Sequence, residues 1–164
     1  MAIVLKSLSY NLVNKFPALL LLFVSLSGSS IIDFKIISIN ILYIVVYFWI
    51  LRKPDSLGYG FIFLAGIITD VVHGFPIGSN PLSLLIIAGV ASYIRVLTVR
   101  ITLINDWLSF IPALLISNLT YFLTLIFSDY SISYLYLFQS SISTFLFYPV
   151  LWVIFSGIIS LMRS

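Results

Sequence analysis

Gly60-Phe61-Ile62-Phe63-Leu64-Ala65-Gly66-Ile67-Ile68-Thr69-Asp70-Val71-Val72-His73-Gly74-Phe75-Pro76-Ile77-Gly78 places one aspartate inside an apolar run that ends in a glycine- and proline-rich turn. An ionisable group at membrane depth costs on the order of 3 kcal/mol by translocon insertion, so a chain that keeps one there gives it a partner. Asp70 is therefore the first residue to explain.

Composition makes the surroundings membrane. The chain is 62% hydrophobic and 8% charged, with a mean hydropathy of +1.21. A soluble domain carries about 25% charged residues and could not cover its surface with so few. At roughly 20 to 27 residues per span and connection, 164 residues allow about six helices and no soluble domain beside them. The net charge of +3 does not point to nucleic acid, because the basic residues stand in ones and twos between apolar runs instead of sharing a face. The absence of Cys removes disulfides, thiolate nucleophiles and thiolate metal sites.

The apolar runs predict an all-α integral membrane protein, a single polytopic domain over residues 1–164. Its spans fall at about 16–32, 36–51, 57–73, 81–97, 107–127 and 133–162. Breakers separate them: Ser27-Gly28-Ser29-Ser30, Arg52-Lys53-Pro54-Asp55, Gly74 to Pro81, Arg100 to Asp106, and Ser128-Asp129-Tyr130-Ser131. With an inside N-terminus, Lys6, Lys15, Arg52, Lys53, Arg95, Arg100 and Arg163 fall on the cytoplasmic side and only Lys35 outside. Both termini are then cytoplasmic, and the loops around Asp33, Gly74 to Asn80 and Asp129 face outward. A signal peptide at Leu19 to Leu26 is the less favoured reading, because Pro17 and the short apolar core suit an uncleaved first span.

Gly58, Ile62, Gly66, Asp70 and Gly74 are spaced by four, so they line one side of the third span for as long as it stays helical. Small residues at this spacing let another helix approach, and the carboxylate can accept hydrogen bonds across the contact. The segment His73 to Pro81 cannot remain helical through its prolines and glycines and is predicted to turn tightly into the fourth span. Four roles compete for Asp70. The favoured one is structural: acceptance of backbone N–H or hydroxyl donors from the turn, with His73 beside it. A ligand site comes next. A proton relay is disfavoured because the chain has no Glu and a single His. Catalysis is disfavoured further, since no nucleophile with a base, no HExxH and no phosphate loop accompanies the pair.

Arg95, Arg100 and Asp106 read as capping the cytoplasmic ends of the fourth and fifth spans, and Arg52-Lys53 as a topology anchor. Asn118, Thr120 and Thr124, with Gln139, Ser140, Ser141, Ser143 and Thr144, read as interhelical donors and acceptors more than as a solute pocket. The aromatic residues from Tyr130 to Tyr148 suit an interfacial belt, and Pro149 marks a kink.

The stretch Gly60 to Tyr93, with Gly66-x3-Asp70-x3-Gly74-x3-Gly78, the apolar Leu82 to Val90 and Ser92-Tyr93, resembles the signature region of the MreD family of bacterial rod shape-determining membrane proteins. Length, span plan and the late Phe147-Tyr148-Pro149-Val150-Leu151 segment agree with it. The resemblance implies a non-enzymatic subunit of the cell-wall elongation machinery in the inner membrane. It would organise MreC and, through it, MreB, RodA and a penicillin-binding transpeptidase. It also implies a six-helix bundle similar to the substrate-binding components of energy-coupling-factor transporters, without cofactor or metal. The family motif falls on Gly66, Asp70, Gly74 and Gly78, which would shape the third and fourth spans; His73 and Phe75-Pro76 depart from the family pattern, and His73 and Pro76 stand beside it as candidate auxiliaries. A small-molecule-binding membrane component of a transporter is the alternative. A pocket lined by Asp70, His73 and polar residues of the last span would favour it, and a dry interior would favour the scaffold.

Overall fold

The computed structural model describes residues 15–27, 33–34, 37–98, 102–130 and 134–163. Among them are six α-helices and one minimal hairpin. Helix α1 is Lys15–Leu26. Strands β1 (Asp33–Phe34) and β2 (Ile37–Ser38) pair antiparallel, with Phe34 opposite Ile37. Then follow α2 (Ile41–Arg52), a single 3₁₀ turn over Pro54–Ser56, α3 (Tyr59–His73), α4 (Ser79–Leu97), α5 (Leu103–Phe127) and α6 (Tyr134–Arg163).

The helical class follows the composition, but the helices are of two kinds. Three are long and apolar enough to cross a membrane: α4, α5, and the part of α6 from Leu135 to Ser160. The other three are shorter, with 12 residues in α1 and α2 and 15 in α3. At 1.5 Å per residue α2 is about 18 Å long against a hydrocarbon core of about 30 Å. It begins at Ile41, later than the expected 36, because the chain ahead of it is extended and Asn40 caps it by accepting the Tyr43 N–H at 3.3 Å. The expected first span runs to about 32, whereas α1 ends at Leu26; residues 28–32 lie outside the described set.

Every residue of α2 from Leu42 to Leu51 is buried. A helix apolar on all sides belongs at the centre of its bundle, and α2 packs on both α4 and α6. Around it Tyr47, Phe110 and Tyr148 form one aromatic cluster, and Phe48, Trp49 and Phe155 another. The outer helices leave apolar side chains uncovered, among them Leu115, Leu119 and Leu123 on α5 and Leu146, Val150 and Val153 on α6. Patches of this kind suit a hydrocarbon solvent.

Two prolines sit where the helices tolerate them. Pro81 lies in the first turn of α4, which therefore starts at Ser79 and not at Pro81 as expected; in the first turn no intrahelical N–H is needed. Pro149 lies inside α6 and leaves the carbonyl four residues earlier, that of Phe145, without its helical donor. The Trp107 indole N–H from α5 donates to that carbonyl at 2.9 Å. The helix thus passes through Pro149 with the lost bond replaced by a neighbour.

Candidate functional site

Asp70 sits in the last turn of α3 and is 0% exposed. One carboxylate oxygen accepts the Gly78 N–H at 2.8 Å; the other accepts the Asn80 N–H at 3.2 Å and the Asn80 side-chain amide at 2.7 Å. Its own carbonyl closes α3, accepting from the backbone N–H groups of Gly74 and Phe75. One residue therefore ends one helix and starts the next.

The glycines make this possible. Gly74 (φ +67) and Gly78 (φ +109) hold left-handed backbone conformations that side chains oppose. Between them the Pro76 carbonyl accepts from both the backbone N–H and the hydroxyl of Ser79, which sets the first turn of α4. Gly66, one turn before Asp70, is needed for space: a Cβ there would lie 2.5 Å from Pro81 Cα. The expected motif residues Gly66, Asp70, Gly74 and Gly78 thus converge on the α3–α4 turn. Of the four-residue series, Ile62, Gly66 and Asp70 are buried, whereas Gly58 and Gly74 are exposed caps at the two ends of α3. His73 uses its Nδ1 on the Thr69 carbonyl at 2.7 Å and stacks on Phe75, whose ring meets Tyr121 and Tyr130 edge-on.

The opposite end of the bundle departs from expectation. Asp106 does not cap with Arg95 and Arg100: it is 1% exposed and pairs with Arg52 at 3.0 Å. The Trp152 indole N–H donates to the same oxygen at 2.9 Å, and the Arg52 guanidinium lies over the Phe48 and Trp152 rings. Arg95 is exposed, and Arg100 lies outside the described residues. Arg52 is therefore more than a topology anchor, because it joins α2 to α5. The signal for it was arithmetic: the chain has five acidic residues, and each one falling within an apolar helix demands a partner.

The polar residues of α5 and α6 divide. Asn118 donates to Ser141 across the two helices at 2.8 Å, and Thr144 accepts the Asn40 N–H at 2.9 Å, tying α6 to the start of α2. Thr120 and Thr124 bond only to carbonyls of their own helix. Beside the Asp70 turn lies a partly open cavity of about 120 Å³. Thr69, His73, Phe75 and Asn80 from α3, α4 and the turn between them line it together with Asn118 of α5, Tyr136 and Ser140 of α6, and the start of α2. Asp70 itself does not line it. Among the described residues no three His, Cys, Asp or Glu side chains converge as a metal site would require.

No family model, curated protein or solved structure matches this chain.

Proposed function

We propose that this protein is a non-enzymatic membrane scaffold of the MreD kind, a six-span bundle that helps to position cell-wall elongation enzymes by presenting a shaped face to MreC. The observation that supports it is the consumption of Asp70. Both of its oxygens are occupied by donors of the α3–α4 turn, so the one acidic residue of the motif holds a shape and has no oxygen to spare for a proton relay. In this reading the bundle lies in a bacterial inner membrane with both termini in the cytoplasm. The Arg52–Asp106 end is the cytoplasmic one, and the Asp70 turn faces outward. The short α1, α2 and α3 cross with the help of local thinning, and the uncovered faces of α5 and α6 meet lipid or a partner helix. The similarity to energy-coupling-factor substrate-binding components belongs to the same proposal.

The test is a mild-detergent pull-down of the tagged protein from its native membrane with mass spectrometry of what stays bound, run in parallel with Asp70→Ala. Recovery of MreC and the elongation synthases, reduced by the substitution, supports the scaffold. The cavity beside Asp70 favours a second reading, a small-molecule-binding component of a transporter. Recovery of an ATPase-driven transport module in place of MreC would establish that reading and remove the first.

A further inference from the structure

The cavity has a composition that selects its occupant. Its volume of about 120 Å³ exceeds an ordinary packing void. It has room for several water molecules, and it approaches the ~150 Å³ of a cavity that takes up a single aromatic ring. Among the described residues that line it, none is Lys, Arg, Asp or Glu. Asp70 lies behind Asn80, which lines the cavity and turns its amide N–H back onto the carboxylate. Among the described residues of its walls an anion meets no permanently charged cation, since the nearest titratable base, His73, has its Nδ1 engaged with the Thr69 carbonyl, and a cation finds Asp70 already accepting three hydrogen bonds.

What the walls offer is a rigid mixture of hydrogen-bonding edges and apolar surface. Asn80 is fixed by Asp70 and Asn118 by Ser141, so each amide has committed one N–H elsewhere and retains a carbonyl oxygen and a second N–H. Asn40 is fixed the other way, its oxygen accepting from Tyr43 N–H, which leaves its amide donors. Ser38 and Tyr136 are bonded to each other at 3.0 Å, which joins the hairpin to α6 along one wall. Leu42, Phe75, Tyr121 and Leu137 supply the apolar surface. A small site with fixed polar groups set among apolar walls is how proteins recognise small molecules.

We infer that this cavity binds one small uncharged molecule of about single-ring size, carrying a hydroxyl or amide edge on an apolar body. The site does not depend on the scaffold reading, since a bound molecule could regulate a scaffold or be the cargo of a transporter. Its test uses purified full-length protein and needs no partner, so its failure leaves the pull-down result untouched.

Three fluorinated probes are titrated by ¹⁹F NMR in detergent: 4-fluorophenol, fluorobenzene, which lacks the polar edge, and 4-fluorobenzoate, which is charged. Two variants accompany the wild type. Ser140→Leu fills the cavity from α6, and Ser140→Ala leaves it open; neither touches the Asp70 turn. The expected result is a saturable shift for 4-fluorophenol in the wild type and Ser140→Ala, weakened about tenfold or more in Ser140→Leu. Fluorobenzene should bind more weakly and 4-fluorobenzoate not at all. Equal, non-saturating partition of all three probes into all three proteins would mean that the cavity holds water only and would overturn the inference. Saturable 4-fluorophenol binding that Ser140→Leu leaves unchanged would overturn the location, and 4-fluorobenzoate binding as tightly would overturn the uncharged class.

Discussion

Asp70 and Asp106 are both buried carboxylates, one at each end of the bundle, and they are stabilised in different ways. Asp70 is held by two backbone N–H groups and one amide from residues eight and ten positions away. Asp106 is held by a guanidinium 54 residues away and an indole 46 residues away. The first is a local device in which the carboxylate completes a turn. The second is a tertiary device in which three helices share a charge. Their completeness differs too. The donors around Asp70 are matched to its oxygens, whereas at the Asp106 end Arg52 Nε and the Tyr148 hydroxyl are buried without a partner. Backbone donors cannot be mutated away, but side-chain partners can, and this makes the two ends separable by experiment.

The largest effect is expected for Asp70→Ala. It leaves the three donors of the turn without their acceptor, each costing about 1 to 3 kcal/mol where it stays unpaired, and a total loss of about 3 to 5 kcal/mol is expected from thermal unfolding in detergent. Asp106→Ala should cost somewhat less, about 2 to 4 kcal/mol, because Arg52 remains 21% exposed and can turn toward the interface. The contrast sharpens in a paired replacement. Arg52→Met with Asp106→Leu should recover most of the loss, as buried ion pairs replaced by apolar pairs commonly do. No apolar partner for Asp70→Leu can do the same, since the N–H groups of Gly78 and Asn80 remain. Equal rescue at both ends would erase the distinction.

Gly66→Ala comes next, with about 1 to 3 kcal/mol lost, because its Cβ would meet Pro81 backbone at 2.5 Å. Gly60→Ala on the same helix meets open space and should be neutral or slightly stabilising. The smallest loss is expected for Trp107→Phe, about 1 kcal/mol for the bond to the Phe145 carbonyl. In a Pro149→Ala background the helix regains its own donor for that carbonyl, so the loss should shrink. A double-mutant cycle on these two positions reads the coupling directly.

The Asp70 turn was legible because all its parts lie within fifteen residues and use rules of backbone geometry. A carboxylate in an apolar run needs donors, glycines at four-residue spacing permit approach, and glycine with proline ends a helix. Arg52–Asp106 was misread because each residue had a satisfactory local explanation, one as a loop anchor and one as a helix cap. Only their distance in space shows that they neutralise each other. The start of α2 was also misplaced, since an apolar run from Ile36 to Leu51 gives no period that distinguishes the extended residues before Asn40 from the helix after it.

The sequence by itself determined a helical, lipid-compatible chain and the α3–α4 turn around Asp70, because hydropathy and short-range backbone constraints are properties of neighbouring residues. The tertiary structure decided which helix lies at the centre, which cation meets Asp106, how Trp107 repairs α6 at Pro149, and where a polar-lined cavity stays unfilled. Each of these depends on side chains distant in sequence meeting in space, where packing and the need to pair buried polar groups select one arrangement among many that the pattern alone allows.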